Sequence, residues 1–467
     1  MTDQTTITTE AARFVTGLRW EDIPAEAIEI GRRCMTDTLG LYVAGTTEEA
    51  VRLLVADAAE QGGRAEARLP GARGQKVPAA LAARALGTAG HAHDWDDTQV
   101  SHDPDHVYGL LTHPSVPALT GALVIAERLG GVDGRTLMTA FQAGVEVECK
   151  ISEWLLPNHY LRGHHSSGTV GTFAAAAAAA KLLGLDESRT ATAFGIAASL
   201  AAGIRCNFGT MSKPLHVGRA AENGVTAALL SARGFTSDPA GLDGRWGFME
   251  VMGGFSPDKT VQGFGNTFTI VSPGVSIKPY PSGILTHQSM DAMRDLVLSA
   301  DLKSEEVVAV RFYAASNILN PIRYPLAANH LQAKFSMPAL LAMMILHRQA
   351  GPDEFTDAFI GGAAMQDMQR RIALLHDLEI EAMGFDRIRS RIEVDTTDGR
   401  TLVQWADERY RGGPSKPFSE ADIAEKFRVC TETRLTPATS MKLMEAAASI
   451  DKLEDTAVLT EWTTEIS

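Results

Sequence analysis

Cysteine is scarce: Cys34, Cys149, Cys206 and Cys430 are the only four in 467 residues. None forms a CxxC pair or stands at metal-ligand spacing, so there is no disulfide framework to read and no footing for an iron–sulfur cluster. Positive charge is also short, 43 Lys and Arg against 57 Asp and Glu, a formal net charge of -14. That argues against nucleic acid and anionic membrane as partners, because both need a basic surface. An anionic ligand would therefore need a local basic pocket. Aromatic residues are only 6% of the chain, which suits closely packed Ala- and Gly-rich helices. The most apolar stretch, Phe173 to Ala180, is mainly alanine and stops at Lys181, too short to span a bilayer. The N-terminal MTDQTTITTEAARFV has neither the basic region nor the apolar run of a secretory signal, so a cytoplasmic protein is expected. Phosphate-loop, dinucleotide and GxSxG fingerprints are missing as well, which leaves Ser166 and Ser167 as poor nucleophiles.

What is present is a folded globular composition, 45% hydrophobic and 21% charged, in a chain long enough for two domains. Helix signals recur through the first half, at Ala79 to Leu86, Pro117 to Leu129, Thr136 to Trp154, Thr169 to Leu183 and Ser188 to Ala201. Asp186 is placed to cap the last of these. Short loops predict antiparallel packing as a bundle. Between Ser256 and Pro281 the composition turns to Gly, Pro, Thr and Val, which marks a domain boundary. Beyond it, Val307 to Ala314 and Ile388 to Thr396 are expected strands, the latter turning at Asp398-Gly399 into Thr401 to Trp405. Ala333 to Arg348 and Met365 to His376 are expected helices, making this part α+β. Helix returns from Ser419, with Asp422 completing a cap.

Four clusters carry chemistry. The first is His91-Ala-His93-Asp94-Trp95-Asp96-Asp97-Thr98, followed by His102, Asp103, Asp105, His106 and His113-Pro114-Ser115. Its imidazoles and carboxylates fit a metal site, metal-free acid–base catalysis or a solvated acidic loop, and His93-Asp94 imitates the pair of HD-type metal phosphohydrolases. The second, Gly163-His164-His165-Ser166-Ser167-Gly168-Thr169, places two imidazoles just before a helix, where the positive dipole end depresses their pKa and favours an anion. Ser/Thr capping with incidental histidines explains it equally well. The third is Met211-Ser212-Lys213-Pro214-Leu215-His216, in which Pro214 suits the first helical position and sets Lys213 at the helix entrance. Arg205 and His216 are further candidate contacts to an anionic substrate, set against ordinary surface roles. The fourth is Ile277-Lys278-Pro279-Tyr280-Pro281, whose prolines hold Lys278 stiffly beside the interdomain cleft.

In this order the clusters resemble the MmgE/PrpD family, which includes 2-methylcitrate dehydratases, cis-aconitate decarboxylases and iminodisuccinate epimerases. The resemblance covers most of the chain: Asp37-Thr38-Leu39-Gly40, HAHDWDDT, THPSVPAL, GHHSSGTVGTFAAAAAAAKLLGLD, TMSKPLHVGRAAENG, ARGF, IKPYPSG and AKFSMP all look like family blocks. It implies a mainly α fold, with an all-helical domain of residues 1–270 plus 412–467 and a smaller α+β lid of residues 271–411. It also implies a homodimer acting without cofactor or metal on a small di- or tricarboxylate. Carried over by motif, the implied site is Asp94, Thr98, His113, His165, Lys213 and Lys278. Both lysines would hold carboxylates, the histidines would act as acid and base with His113 transferring the α-proton, and Asp94 and Thr98 would orient substrate. Elimination of water is the leading expectation, with epimerisation of an amino- or imino-dicarboxylate and decarboxylation as alternatives, and an HD-type phosphohydrolase as a remote one. Departures from the family pattern are Gln99, a longer segment from Ser101 to Thr112 expected to reshape substrate access, Gly283 where Cys is common, and an unassigned His164.

Overall fold

The computed structural model describes residues 6–99, 112–155, 157–253, 263–384 and 387–466. The longer segment from Ser101 to Thr112 lies outside them, apart from Thr112. A short antiparallel pair, β1 (Ala67–Arg68) and β2 (Lys76–Val77), interrupts an otherwise helical first half. Its centre is the helix Gly171–Leu182, buried from Gly171 through Ala180. Alanines cannot hold neighbours at a distance, and three surrounding helices exploit this with a glycine each. A Cβ on Gly121 of Ser115–Leu129 would lie 2.9 Å from Ala175 Cα, one on Gly144 of Gly134–Leu155 would lie 2.8 Å from the Ala174 carbonyl oxygen, and one on Gly224 of Ser212–Ala232 would lie 2.4 Å from that of Thr172. Close backbone approach replaces large side chains here, and dispersion between main chains holds the bundle.

Capping follows sequence. Asp186 accepts from the Arg189 amide at 2.8 Å to start Glu187–Leu200, and Ser419 with Asp422 forms a reciprocal cap on Glu420–Thr431. The expected Ala-rich helix is broken at Val170, after a single turn Ser166–Thr169.

The middle of the chain builds a sheet of order β4-β3-β5-β6 from β3 (Val307–Ala314), β4 (Ile372–His376), β5 (Ser390–Thr396) and β6 (Thr401–Trp405). β5 and β6 form the expected hairpin, with Gly399 at φ 84°. The helix expected from Met365 to His376 is corrected: Ala363–Arg370 is helical, but Ile372–His376 runs parallel to β3, from Val310 opposite Ile372 to Ala314 opposite His376. A five-residue apolar run such as IALLH satisfies either period, and pairing with a buried strand decides it. The helix expected from Ala333 begins later, at Met337, after a turn at His330–Ala333.

The fold is mainly α with a smaller α+β part. One large apolar cluster draws on residues from Ala11 to Ile277 and again from Phe418 to Ile466. A second draws on Tyr280 to Tyr410, joined by Tyr160 and Phe208 from the helical part. Among the described residues no helix is long and apolar enough to cross a membrane.

Candidate active site

Between the two clusters lies a cavity of about 40 Å³ lined by Asp94, Thr98, His113, His165, Lys213 and Lys278. Tyr160, Phe208, Ile284, Leu285, Ile322 and Phe335 complete an apolar wall. All six polar residues are sequence candidates, and none is more than 8% exposed.

Different elements supply them. The helix Ala79–His91 runs one turn past its expected end, so His91 is its last residue. The chain then bends sharply at Asp94, which takes the left-handed conformation (φ 54°) that short polar side chains tolerate. Thr98 exchanges backbone hydrogen bonds with Ser276, at 2.9 and 2.7 Å, tying this turn to the strand-like segment that carries Lys278. His113 stands just before Ser115–Leu129, its amide donating to Ser167 Oγ at 2.8 Å. Lys213 is the second residue of Ser212–Ala232, and Pro214 the third rather than the first.

Three buried lysines fix the turn by its carbonyls. Lys334 donates to Ala92 O at 2.8 Å, Lys278 to Asp94 O at 3.0 Å and Lys426 to Trp95 O at 2.8 Å. They come from the α+β part, the connecting segment and the C-terminal helix respectively. Lys426 is also paired with Asp37 at 2.7 Å.

Electrostatically the centre is Asp94. Its Oδ1 accepts from Lys278 at 2.7 Å and from Lys213 at 3.0 Å. Burial alone would raise this carboxyl, but the two ammonium groups overrule it and hold Asp94 well below the usual range. Lys278 spends its third N–H on the Ser282 carbonyl at 3.2 Å, so all three donors are committed. Lys213 also donates to His91 Nε2 at 2.7 Å, which accounts for two of its three. Its pKa is lowered by burial, offset in part by Asp94.

The imidazoles are neutral bases. His113 Nδ1 faces the Asp97 carbonyl at 2.9 Å and must donate to it, which leaves Nε2 with the lone pair. Burial drives its pKa well down, as it does for His165. His165 Nδ1 meets His216 Nδ1 at 3.1 Å, and its Nε2 has no hydrogen-bond partner among the described residues. Asp94 Oδ2 is likewise buried without one. One Lys213 N–H, His113 Nε2, His165 Nε2 and Asp94 Oδ2 are therefore the uncommitted polar groups along this wall among the described residues. Beneath them, Asp97 binds the Ser115 amide and hydroxyl, and burial raises it to about 7.

Two candidates fall outside the lining. Arg205 donates to the Tyr160 carbonyl at 2.9 Å and lies 3.8 Å over that ring, so it buttresses the wall from behind. His216 reaches the site only through His165. His164 turns away and stacks on His159 with centroids 4.4 Å apart, which leaves His165 as the inward imidazole.

From His91 to Thr98 the solvated-loop reading of the first cluster does not hold, since Asp94, Asp96 and Asp97 are at most 3% exposed, while His102, Asp103, Asp105 and His106 lie outside the described residues. Ring nitrogens of His91, His113 and His165, and donors of His91, Asp94, Asp96 and His113, do lie within 4.8 Å of one another. Yet both nitrogens of His91 are engaged by protein, and two ammonium groups converge on the same carboxylate, an arrangement suited to an anion. His93 faces Glu48 at 3.4 Å instead of sharing a ligand position with Asp94, so the HD-type pairing is not formed.

Sequence reasoning assigned no role to His91 and Asp96. Their signal was the five-residue offset across a helix end, which brings Asp96 back onto the His91 ring at 2.8 Å.

Comparison with known proteins gives matches along most of the chain. Residues 9–260 match the MmgE/PrpD N-terminal domain and residues 280–452 the MmgE/PrpD C-terminal domain. Human cis-aconitate decarboxylase is 27% identical over 459 residues, covering 97% of this chain and 94% of that protein. The mouse cis-aconitate decarboxylase is 26% identical over 469 residues, covering 97% and 92%. That of Aspergillus terreus is 24% identical over 481 residues, covering 97% and 95%.

Proposed function

Because the chain belongs to the MmgE/PrpD family, we propose that it is a lyase moving a proton on carbon beside a carboxylate of a small di- or tricarboxylic acid. The observation that carries this reading is the convergence of Lys213 and Lys278 on Asp94 beside two buried, neutral imidazoles. A substrate carboxylate binds the uncommitted N–H of Lys213, while the Lys278 charge lowers the energy of an enolate-like state in a dry cleft. His113 Nε2 and His165 Nε2 take or return the proton at adjacent carbons.

Loss of carbon dioxide from an unsaturated polycarboxylate is the first reaction to test, since the relatives are cis-aconitate decarboxylases. The electron pair of the breaking C–C bond enters the conjugated carboxylate as carbon dioxide leaves, and an imidazole that has first taken up a proton from solvent delivers it to carbon. Elimination of water is the second reading. Asp94 Oδ2, an acceptor without a partner, suits a substrate hydroxyl.

The test is proton NMR of di- and tricarboxylates in deuterium oxide, beginning with cis-aconitate. Carbon dioxide with a deuterated product supports decarboxylation, and a new alkene supports dehydration. Exchange at the α-carbon alone turns the assignment to epimerisation. No exchange, elimination or gas from any of them sinks the reading. On the substrate that reacts, His113→Ala is expected to lower kcat at least about 100-fold with the circular dichroism unchanged.

A further inference from the structure

His91 and Asp96 are fully buried, are not in the cavity wall, and are left unused by the chemistry above. Asp96 sets both carboxylate oxygens 2.8 Å from His91 Nδ1. Burial would raise Asp96, but the His91 N–H that it accepts and the nearby Lys278 charge hold it ionised, so Nδ1 must carry the proton and Nε2 the lone pair. That lone pair faces Lys213 Nζ at 2.7 Å. A lysine needing only a fixed positive charge would be served by a carboxylate. This one has a neutral imidazole backed by an anion, shares its only carboxylate with Lys278, and lies 5.2 and 5.5 Å from the Phe208 and Phe335 ring centroids.

We propose that Asp96, His91 and Lys213 form a proton relay, in which Lys213 alternates between an ammonium that grips a substrate carboxylate and an amine that accepts a proton from substrate carbon. The proton leaves Lys213 Nζ for His91 Nε2, and the resulting imidazolium is stabilised by Asp96. Buried Asp–His pairs behave in this way when they serve a hydroxyl nucleophile. The freed Nζ lone pair then takes the proton at one of the two adjacent carbons, with His113 or His165 serving the other, and the C–H electron pair stays on carbon as the enolate. Protons balance, since the ammonium is restored and His91 keeps the relayed proton until product forms. His91 and Asp96 are positioning residues, acting through Lys213. The charged and titratable groups around them are Asp94, Lys278, His113, His165 and His216 on the lysine side and Asp37, Tyr42, Asp97 and Glu148 around Asp96, and among the described residues only Lys213 is hydrogen-bonded to His91 Nε2. The inference rests on the lyase reading above.

Kinetics from pH 6.5 to 9.5 test it with His91→Gln, which keeps a hydrogen-bonding group but cannot store a proton, and Lys213→Arg, which keeps the charge but cannot give it up. The relay predicts at least about a 100-fold loss of kcat in both at neutral pH, with KM within about threefold. It further predicts that His91→Gln recovers with rising pH as solvent removes the Lys213 proton, whereas Lys213→Arg does not. A pH-independent deficit in His91→Gln, or near-normal kcat in either variant, overturns it. Should His91→Gln fail to fold by circular dichroism, Lys213→Arg decides alone, because a lysine that only grips carboxylate predicts altered KM with kcat retained. An inert parent enzyme is a different outcome, which rejects the lyase reading and the relay with it.

Discussion

Asp94 combines an unusual backbone with a shared charge, and the two can be separated by substitution. Asp94→Asn keeps a side chain that tolerates positive φ but leaves Lys213 and Lys278 facing each other without an anion. Breaking such a buried group is expected to cost about 3 kcal/mol in urea unfolding, with kcat/KM down at least about 100-fold. Asp94→Ala adds roughly 1 kcal/mol of backbone strain. Equal stability of Asn and Ala variants would remove the conformational part of the argument. At this scale much of the site was legible: the motifs named every one of the six polar residues that line the cavity. They missed His91, which closes a regular alanine-rich helix and looks like its last turn, and they offered Arg205, whose charge is spent on Tyr160. Sequence gives residue type and spacing, but which atoms are already committed to protein partners is decided by packing. That is why Lys278, read as a carboxylate holder, proves to have all three donors occupied.

Helices and strands were recovered where pattern and capping agree, as at Asp186, Ser419 and the Asp398-Gly399 hairpin. Ile372–His376 was misread because its apolar residues fit a helical period, and only β3 beside it selects the strand. The alanine run was legible as a helix, but its place at the centre of the bundle depends on glycines more than 25 residues away in sequence. Gly224→Ala would place its Cβ 2.4 Å from the Thr172 carbonyl oxygen and force Ser212–Ala232 outward. A loss of about 1–3 kcal/mol is expected in thermal or denaturant unfolding. Because the same helix carries Lys213 in its first turn, kcat should fall with stability, and an unchanged melting temperature would contradict the close-packing account.

Across the molecule, the cavity is too small to admit a tricarboxylic acid unless its two walls part. A clasp spans them at the surface: His330 Nε2 lies 3.3 Å from Glu48 and Nδ1 2.6 Å from Asp357, with His93 and Lys334 also facing Glu48. Hydrogen bonding to Glu48 raises the His330 pKa against burial and the Lys334 charge. A raised folded-state value means the clasp contributes fully below the ordinary imidazole pKa and is lost as pH climbs through the raised one. Hydrogen exchange at residues 330–333 should therefore quicken as pH rises from about 6 to 8, after correction for the intrinsic rate, and Glu48→Gln should abolish the change. Tighter protection at the alkaline end would refute it.

The three lysines on the Ala92 to Trp95 carbonyls bear on how the protein is made. Every candidate catalytic group lies before residue 279, yet the turn that aims Asp94 is completed by Lys334 and Lys426, which leave the ribosome much later. A nascent chain can thus hold its whole proton-handling inventory and stay chemically silent. Activity is therefore expected only once the last third of the polypeptide has folded back onto this turn, which would make translation itself the timer.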